Sequence, residues 1–394
     1  MSNDTIQIQE KLEGWAKETI NVYNRIVETL NEKSPDKKWG YYTQSVLKRD
    51  TLNPDILILG INPGAAGGGI MTGEELLRGN PCFKEKNDKE IIDIFFNNYD
   101  PEKRKSGWDI MVKTRKMLEL ADIQILNDLD KFVLSNMVFL GTSNQGQIPL
   151  SFNKQIECAT QTVKLIDILH PKVVLLLGSN TTALFEEVSK QKLETLVPNS
   201  ISYLKYSEKI QILSIKHTAY HYSNLEMELI GRTIGYVLDH LVVNQECIEK
   251  EFSDIIQKFE MMIRINLLNR EISRPYKKDK RAPYNKISKM DYTKLVFEFY
   301  TSVHPLKKCY VNSKNSIVLS LIQENDNFFI NICQDNREEQ SKLVEWLRTE
   351  NYLKKENKLI FPVNTSNKEI IDTIICVLEG IKIYRDKTSL VSTK

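Results

Sequence analysis

No two of the six cysteines, Cys82, Cys158, Cys247, Cys309, Cys333 and Cys376, form a CxxC pair, and all stand far apart in the chain. That spacing argues against a zinc ribbon, a locally ligated iron–sulfur cluster and a disulfide scaffold, and reads as reduced thiols of a cytoplasmic protein. No basic n-region or apolar h-region follows Met1-Ser2-Asn3-Asp4, so no secretory signal is expected. No apolar run approaches the roughly 20 residues of a membrane span. There is no internal repeat. Nor is there a charge imbalance: 54 basic residues face 52 acidic ones, a net of +2, so any surface for nucleic acid must be local. What remains is a globular composition, 41% hydrophobic and 27% charged over 394 residues. That length exceeds one ordinary domain and suits two.

The pattern along the chain predicts the first of these. Leu12, Trp15, Ile20, Tyr23, Ile26 and Leu30 recur at helical steps between Ile6 and Asn31. Short aliphatic runs, Ile56-Leu57-Ile58-Leu59 and Val173 to Leu177, each end in glycine and read as buried parallel strands. Further strands are expected over Lys131–Val138 and Gln211–Ile215, with helices over Ile156–Leu169, stopped by His170-Pro171, and after Gly178. Strands alternating with helices predict an α/β fold: a doubly wound, mostly parallel sheet flanked by helices over residues 1–250. Its ligands would bind beyond the carboxyl ends of the strands, where Gly60, Asn136, Gly178 and His217 fall.

Residues 251–292 read as a helix followed by a basic linker. Arg274 to Lys289 carries seven basic residues against one acid, including Lys277, Lys278, Lys280 and Arg281, which suit phosphate contacts or simply a solvated linker. Residues 293–394 read as a small α+β domain. A helix is expected near Lys294–Val303, strands over Ser316–Gln323, Phe328–Cys333 and Leu359–Phe361, and helices over Glu338–Arg348 and from Asn367 to about Ile383.

The segment Gly60-Ile61-Asn62-Pro63-Gly64-Ala65-Ala66-Gly67-Gly68-Gly69 concentrates the chemistry. A glycine-rich turn after a buried strand lets backbone approach a ligand. It is not a dinucleotide or phosphate loop, because Pro63 interrupts GxGxxG and no GK[ST] follows. Asn62 offers donors and an acceptor at a strand end; its plainer role is to cap the turn. Asn136, within an apolar strand, either faces a pocket or bonds a neighbouring loop. His217 is either a site residue or a satisfied core histidine. With His221 four residues on it has metal-ligand spacing, but no third ligand is evident and none is expected.

Gly60-Ile61-Asn62-Pro63-Gly64 resembles motif one of the uracil-DNA glycosylase superfamily, in the form used by its mismatch-specific and single-strand-selective branches. Lys131–Phe139 resembles the strand whose asparagine reads the flipped base. The segment from His170-Pro171 to Gly178 resembles the penultimate core strand. His217-Thr218-Ala219-Tyr220 stands where motif two, usually His-Pro-Ser, would fall. The resemblance covers roughly residues 40 to 245. It implies that fold and a DNA glycosylase without a cofactor, acting on a damaged or modified base flipped from duplex or single-stranded DNA. Asn62 would position the attacking water and His217 would donate to the base carbonyl. Gly60, Ile61, Pro63, Gly64, Ala65, Phe83 and Asn136 would line the base pocket, with Phe83 the stacking aromatic or a core residue. Tyr220, His221, Tyr222 and Ser223 would meet DNA and carry the wedge. Thr218 and Ala219 depart from the motif and leave open a non-catalytic nucleic-acid-binding or interaction protein on the same fold. The small residues Ala65 to Gly69 suggest room for a bulky 5-substituted pyrimidine, as in phage DNA, and hence antiviral defence.

Overall fold

Four short runs of Val, Ile and Leu build the centre of the amino-terminal unit, and all are parallel: β1 (Ile56–Gly60), β2 (Phe132–Asn136), β3 (Val173–Leu177) and β6 (Gln211–Ile215). Every residue of β1, β2 and β3 is buried. Strands covered on both faces have no polar side to alternate with, which is why the runs are continuous. An antiparallel hairpin, β4 (Glu194–Val197) and β5 (Ile201–Lys205), extends the sheet beside β6. Asn199 takes positive φ in its turn, a conformation asparagine tolerates. The strand order is β2-β1-β3-β6-β5-β4.

This computed structural model describes residues 3–33, 41, 47, 53–62, 96, 109–128, 130–140, 148–220, 222–260 and 263. In the last third it describes 295–300, 308–313, 317–324, 327–334, 337–351, 358–362, 365–366 and scattered positions from 369 to 387.

Helices cover both faces of the sheet. On one, α1 (Asn3–Lys33), α3 (Phe152–Leu169) and α4 (Ser179–Ser189) pack with Leu57, Leu59, Val133, Val174, Leu176 and Ile212. The Trp15 indole donates to the Gln161 carbonyl at 2.6 Å and the Phe139 amide to the Tyr23 hydroxyl at 2.8 Å. These bonds tie α1 to α3 and to the chain leaving β2. The helix stop read at His170-Pro171 holds: His170 takes φ 49° as the cap of α3. On the opposite face α2 (Asp109–Glu119) packs against α5 (Asn224–Asp239). The two helices meet at Gly231, where a β-carbon would lie 1.9 Å from the Met117 carbonyl oxygen. Only glycine permits that approach. A short helix, α6 (Gln245–Glu251), closes the unit.

The chain divides into two compact units, Met1–Ser253 and Asp254–Lys394. The second holds an antiparallel sheet of β7 (Leu295–Tyr300), β8 (Lys308–Ser313), β9 (Ile317–Glu324), β10 (Asn327–Gln334) and β11 (Lys358–Pro362), in the order β11-β10-β9-β8-β7. Helix α7 (Arg337–Thr349) packs on β10 and buries Leu343, Val344 and Leu347. The helix expected near Lys294–Val303 is not formed, because that segment is β7. Leu295, Phe297 and Phe299 alternate with period two, and the ladder from Leu295↔Ser313 to Tyr300↔Lys308 takes the segment as a strand.

Candidate functional site

In the order β2-β1-β3-β6-β5-β4 the chain leaves β1 toward β2 on one side and leaves β3 toward the strands on the other. Such a reversal opens a crevice outside the carboxyl ends of β1 and β3, where ligands of doubly wound sheets bind. Four segments end there: Gly60-Ile61-Asn62 after β1, Asn136 closing β2, Gly178 after β3 and Lys216-His217 after β6. β1 and β6 flank β3, so their ends lie about 10 Å apart.

Gly60 and Asn136 are register partners. A β-carbon at position 60 would stand 2.9 Å from Asn136 Oδ1 and 3.7 Å from Ile110 Cδ1. The missing side chain of Gly60 is therefore the space the Asn136 amide occupies. Asn136 is only 4% exposed, and its main chain is fixed: the Thr162 hydroxyl donates to its carbonyl at 2.9 Å. Beyond the strand the ladder continues, with the Met137 amide donating to the Gly60 carbonyl and that of Val138 to Ile61, both at 2.9 Å. Asn62 is half-buried, and its Nδ2 donates to the Leu140 carbonyl at 3.1 Å. That bond crosses to the chain leaving β2, so it anchors the amide there and is not a cap on the Asn62 turn itself.

His217 is half-buried at the end of β6. Its Nδ1 accepts from the Ala219 amide at 3.0 Å. An accepting Nδ1 carries no proton, so the neutral ring holds its proton on Nε2 and offers a donor there. Burial, and then the ammonium of Lys113, push the imidazole below its ordinary pKa. Both effects favour the neutral form. Gly178 presses on it from β3: at φ +96° it is in a region L-residues avoid, and a β-carbon there would come within 3.2 Å of His217 Cβ.

The loop carrying His217 is braced from three sides. Lys113, on α2, donates to the Thr218 carbonyl at 2.5 Å and the Tyr220 carbonyl at 3.3 Å. The Tyr222 hydroxyl donates to the Lys216 carbonyl, and burial with the nearby Glu226 charge pushes that phenol well above its usual range. Lys216 pairs with Glu226 at 2.9 Å, and Glu226 is 5% exposed in its side chain. Ser223 caps α5, accepting from the Glu226 amide at 3.1 Å.

The outcome differs among the residues singled out in the sequence. Gly60, Ile61, Asn62, Asn136 and His217 gather at one edge of the sheet. Tyr220 is 64% exposed beside His217, in keeping with a surface role. The Tyr222 hydroxyl braces the loop at the Lys216 carbonyl and Ser223 caps α5. Pro63, Gly64, Ala65, Phe83, His221, Lys277, Lys278, Lys280 and Arg281 lie outside the described residues. Among the described residues no three His, Cys, Asp or Glu side chains are grouped to hold a metal. No helix among them is long and apolar enough to cross a membrane. Sequence reading passed over Lys113, for which no motif exists. The Ser223-x-x-Glu226 capping box was a usable signal for the start of α5.

The site belongs to an α/β protein that would bind its ligand at a topological switch point, with two carboxamides and a neutral imidazole around it. No protein-family model and no curated protein matches the sequence.

Proposed function

We propose that the chain is a DNA glycosylase of the uracil-DNA glycosylase type, hydrolysing the N-glycosidic bond of a base flipped out of DNA. The carrying observation is the protonation geometry of His217: a ring fixed as an Nε2 donor at the same strand edge as Asn62 and Asn136. A stacked base is out of reach of any such group, so the base must be extruded, at a cost of a few kcal/mol. Asn136 pairs with the edge of the extruded base. Asn62 orients a water against the sugar anomeric carbon. The water oxygen forms the new bond to that carbon as the bond to the base nitrogen breaks, and the electron pair leaves with the base. Charge accumulates on the base carbonyl oxygen, where the His217 Nε2–H donates. The water proton passes to solvent or to the departed base, leaving an abasic site.

The neutral imidazole bears on the choice of base. It donates a hydrogen bond but is not a strong acid, so it serves best a base able to leave as an anion. A cytosine-type base needs a proton from elsewhere. The finer reading, a bulky 5-substituted pyrimidine of phage DNA and a role in antiviral defence, rests on the small residues from Ala65 to Gly69.

The test uses the full-length chain on oligonucleotides carrying uracil, thymine mismatches or 5-modified cytosines, with abasic sites revealed by alkaline cleavage. His217→Ala is expected to lower the rate by about 10²–10³, the usual value of one preorganised donor, and Asn62→Ala to abolish most of the remaining excision. Excision of uracil alone removes the bulky-base version. DNA bound but never cleaved at a base, on any of these substrates, replaces the enzyme with a binding protein on the same fold.

A further inference from the structure

Lys113 stands apart in sequence from every motif considered above, yet it reaches the loop that carries His217. From the middle of α2 its ammonium donates to the carbonyls of both Thr218 and Tyr220, at 2.5 Å and 3.3 Å. These residues lie either side of Ala219, whose amide donates to His217 Nδ1. The Tyr220 amide in turn donates to the His217 carbonyl at 3.0 Å, closing the turn. The Thr218 carbonyl belongs to the same peptide unit as the Ala219 N–H, so the cation holds directly the unit that sets the tautomer of the ring, and the Tyr220 carbonyl further along the turn. Thr218 is fully buried, so its carbonyl needs a partner from protein. Where the superfamily motif has a proline to stiffen this turn, the chain has Thr218, and a proline's fixed φ is absent.

We infer that Lys113 is a positioning residue: it holds the β6–α5 turn closed and so keeps His217 in its Nε2-donor orientation. It supplies across space the rigidity that a proline would supply along the chain. The surrounding charges leave this task to Lys113. On α5, Glu226 is already paired with Lys216 at 2.9 Å. In the loop the Tyr222 phenol donates to the Lys216 carbonyl and stays protonated. At the end of β3 Gly178, which has no side chain, lies against His217. The same ammonium disfavours a second charge on the imidazole, so loosening the turn and protonating the ring are coupled events.

The inference rests on the proposed catalytic role of His217, but its first readout needs no DNA. The chain has five histidines, so nitrogen-15 spectra of the full-length protein resolve individual rings, and His217→Ala assigns the relevant one. In wild type that ring is expected as the Nε2-H tautomer with a titration below the ordinary histidine value. In Lys113→Met the titration moves up and the tautomer signal broadens toward a mixture. On whichever base the enzyme excises, kcat falls by about tenfold or more with KM little changed, as expected for a misplaced catalytic group. The acid limb of the kcat profile moves to higher pH. Lys113→Arg, which keeps the charge and the donors, restores most of both. Lys113→Gln, neutral and compatible with a helix, is held to the same outcomes should the Met variant misfold. A His217 ring with unaltered tautomer and titration in either neutral variant overturns the inference, whether or not excision is seen. Absence of excision by wild type overturns the glycosylase reading and leaves the spectroscopic test of Lys113 standing.

Discussion

Replacing Gly60 with alanine probes the contact between the first two strand ends directly. The added methyl carbon would stand 2.9 Å from Asn136 Oδ1, about 0.5 Å inside a comfortable carbon–oxygen separation. The backbone does not yield easily: the Gly60 carbonyl accepts from Met137 and the Asn136 carbonyl from Thr162. The Asn136 side chain must therefore turn. A rotation of about 30° from a rotamer costs about 0.5–1.5 kcal/mol, which lowers the melting temperature by only about 2–4 °C per kcal/mol in a unit of this size. The functional cost is larger. Misplacement by about 1 Å can cost 10²-fold, so a shift of half that is expected to slow single-turnover excision by about tenfold. The decisive form is a cycle in which Gly60→Ala is also made in the Asn136→Ala background, with rate and thermal stability both measured. Without Oδ1 the methyl group has nothing to displace, and the second substitution is expected to add nearly nothing. Additive effects on rate, or full activity in Gly60→Ala with Asn136→Ala inactive, would refute the reasoning.

Three other outcomes follow from positions already described. Gly178→Ala places a β-carbon at φ +96° and 3.2 Å from His217 Cβ; a loss of about 1–3 kcal/mol is expected in denaturant unfolding, together with a disturbed His217 ring signal. His217 titrates below its ordinary value in the folded chain, so the unfolded chain binds the extra proton first. Its contribution to stability is therefore complete above about pH 6.5 and is lost as pH falls through the lower, folded value. Melting curves of wild type and His217→Gln between pH 5 and about pH 7.5 should thus differ in slope, with wild type losing more stability on the acid side. Cys158 is buried, and its thiol is pushed up to about 12, chiefly by burial. It should resist thiol reagents at about pH 8 in the native chain and react once denaturant is added; fast native labelling of Cys158 would contradict the packing of α3 beneath α1.

Much of the central sheet was legible because its signals are local. Ile56–Gly60 and Val173–Leu177 are uninterrupted aliphatic runs, and His170-Pro171 stops a helix by steric exclusion alone. The hairpin β4–β5 has no such run: Glu194 and Thr195 are exposed and Ile201–Lys205 is mixed, so sheet pairing rather than pattern defines it. β7 differs from its expected helix because a segment of six residues rich in Leu, Val and Phe supports either period, and the partner strand decides. The candidate site divides in the same way. Asn62, Asn136 and His217 announce themselves as polar groups at the ends of apolar strands. Lys113 does not, since the contact that gives it meaning joins residues 105 positions apart. The orientation of Tyr222 was equally hidden, because an aromatic in a loop reads the same from sequence whether it faces solvent or the main chain.

The crossing of α2 and α5 at Gly231 has a consequence for how this chain can vary. Any side chain at that point would wedge the two helices apart, and α2 carries the lysine that grips the histidine turn. A position with no chemistry of its own thereby sets the reach of a cation acting two elements away. Substitution there should be read first in the histidine's proton affinity, and homologues that widen this crossing would need a longer basic arm or a stiffer turn to compensate.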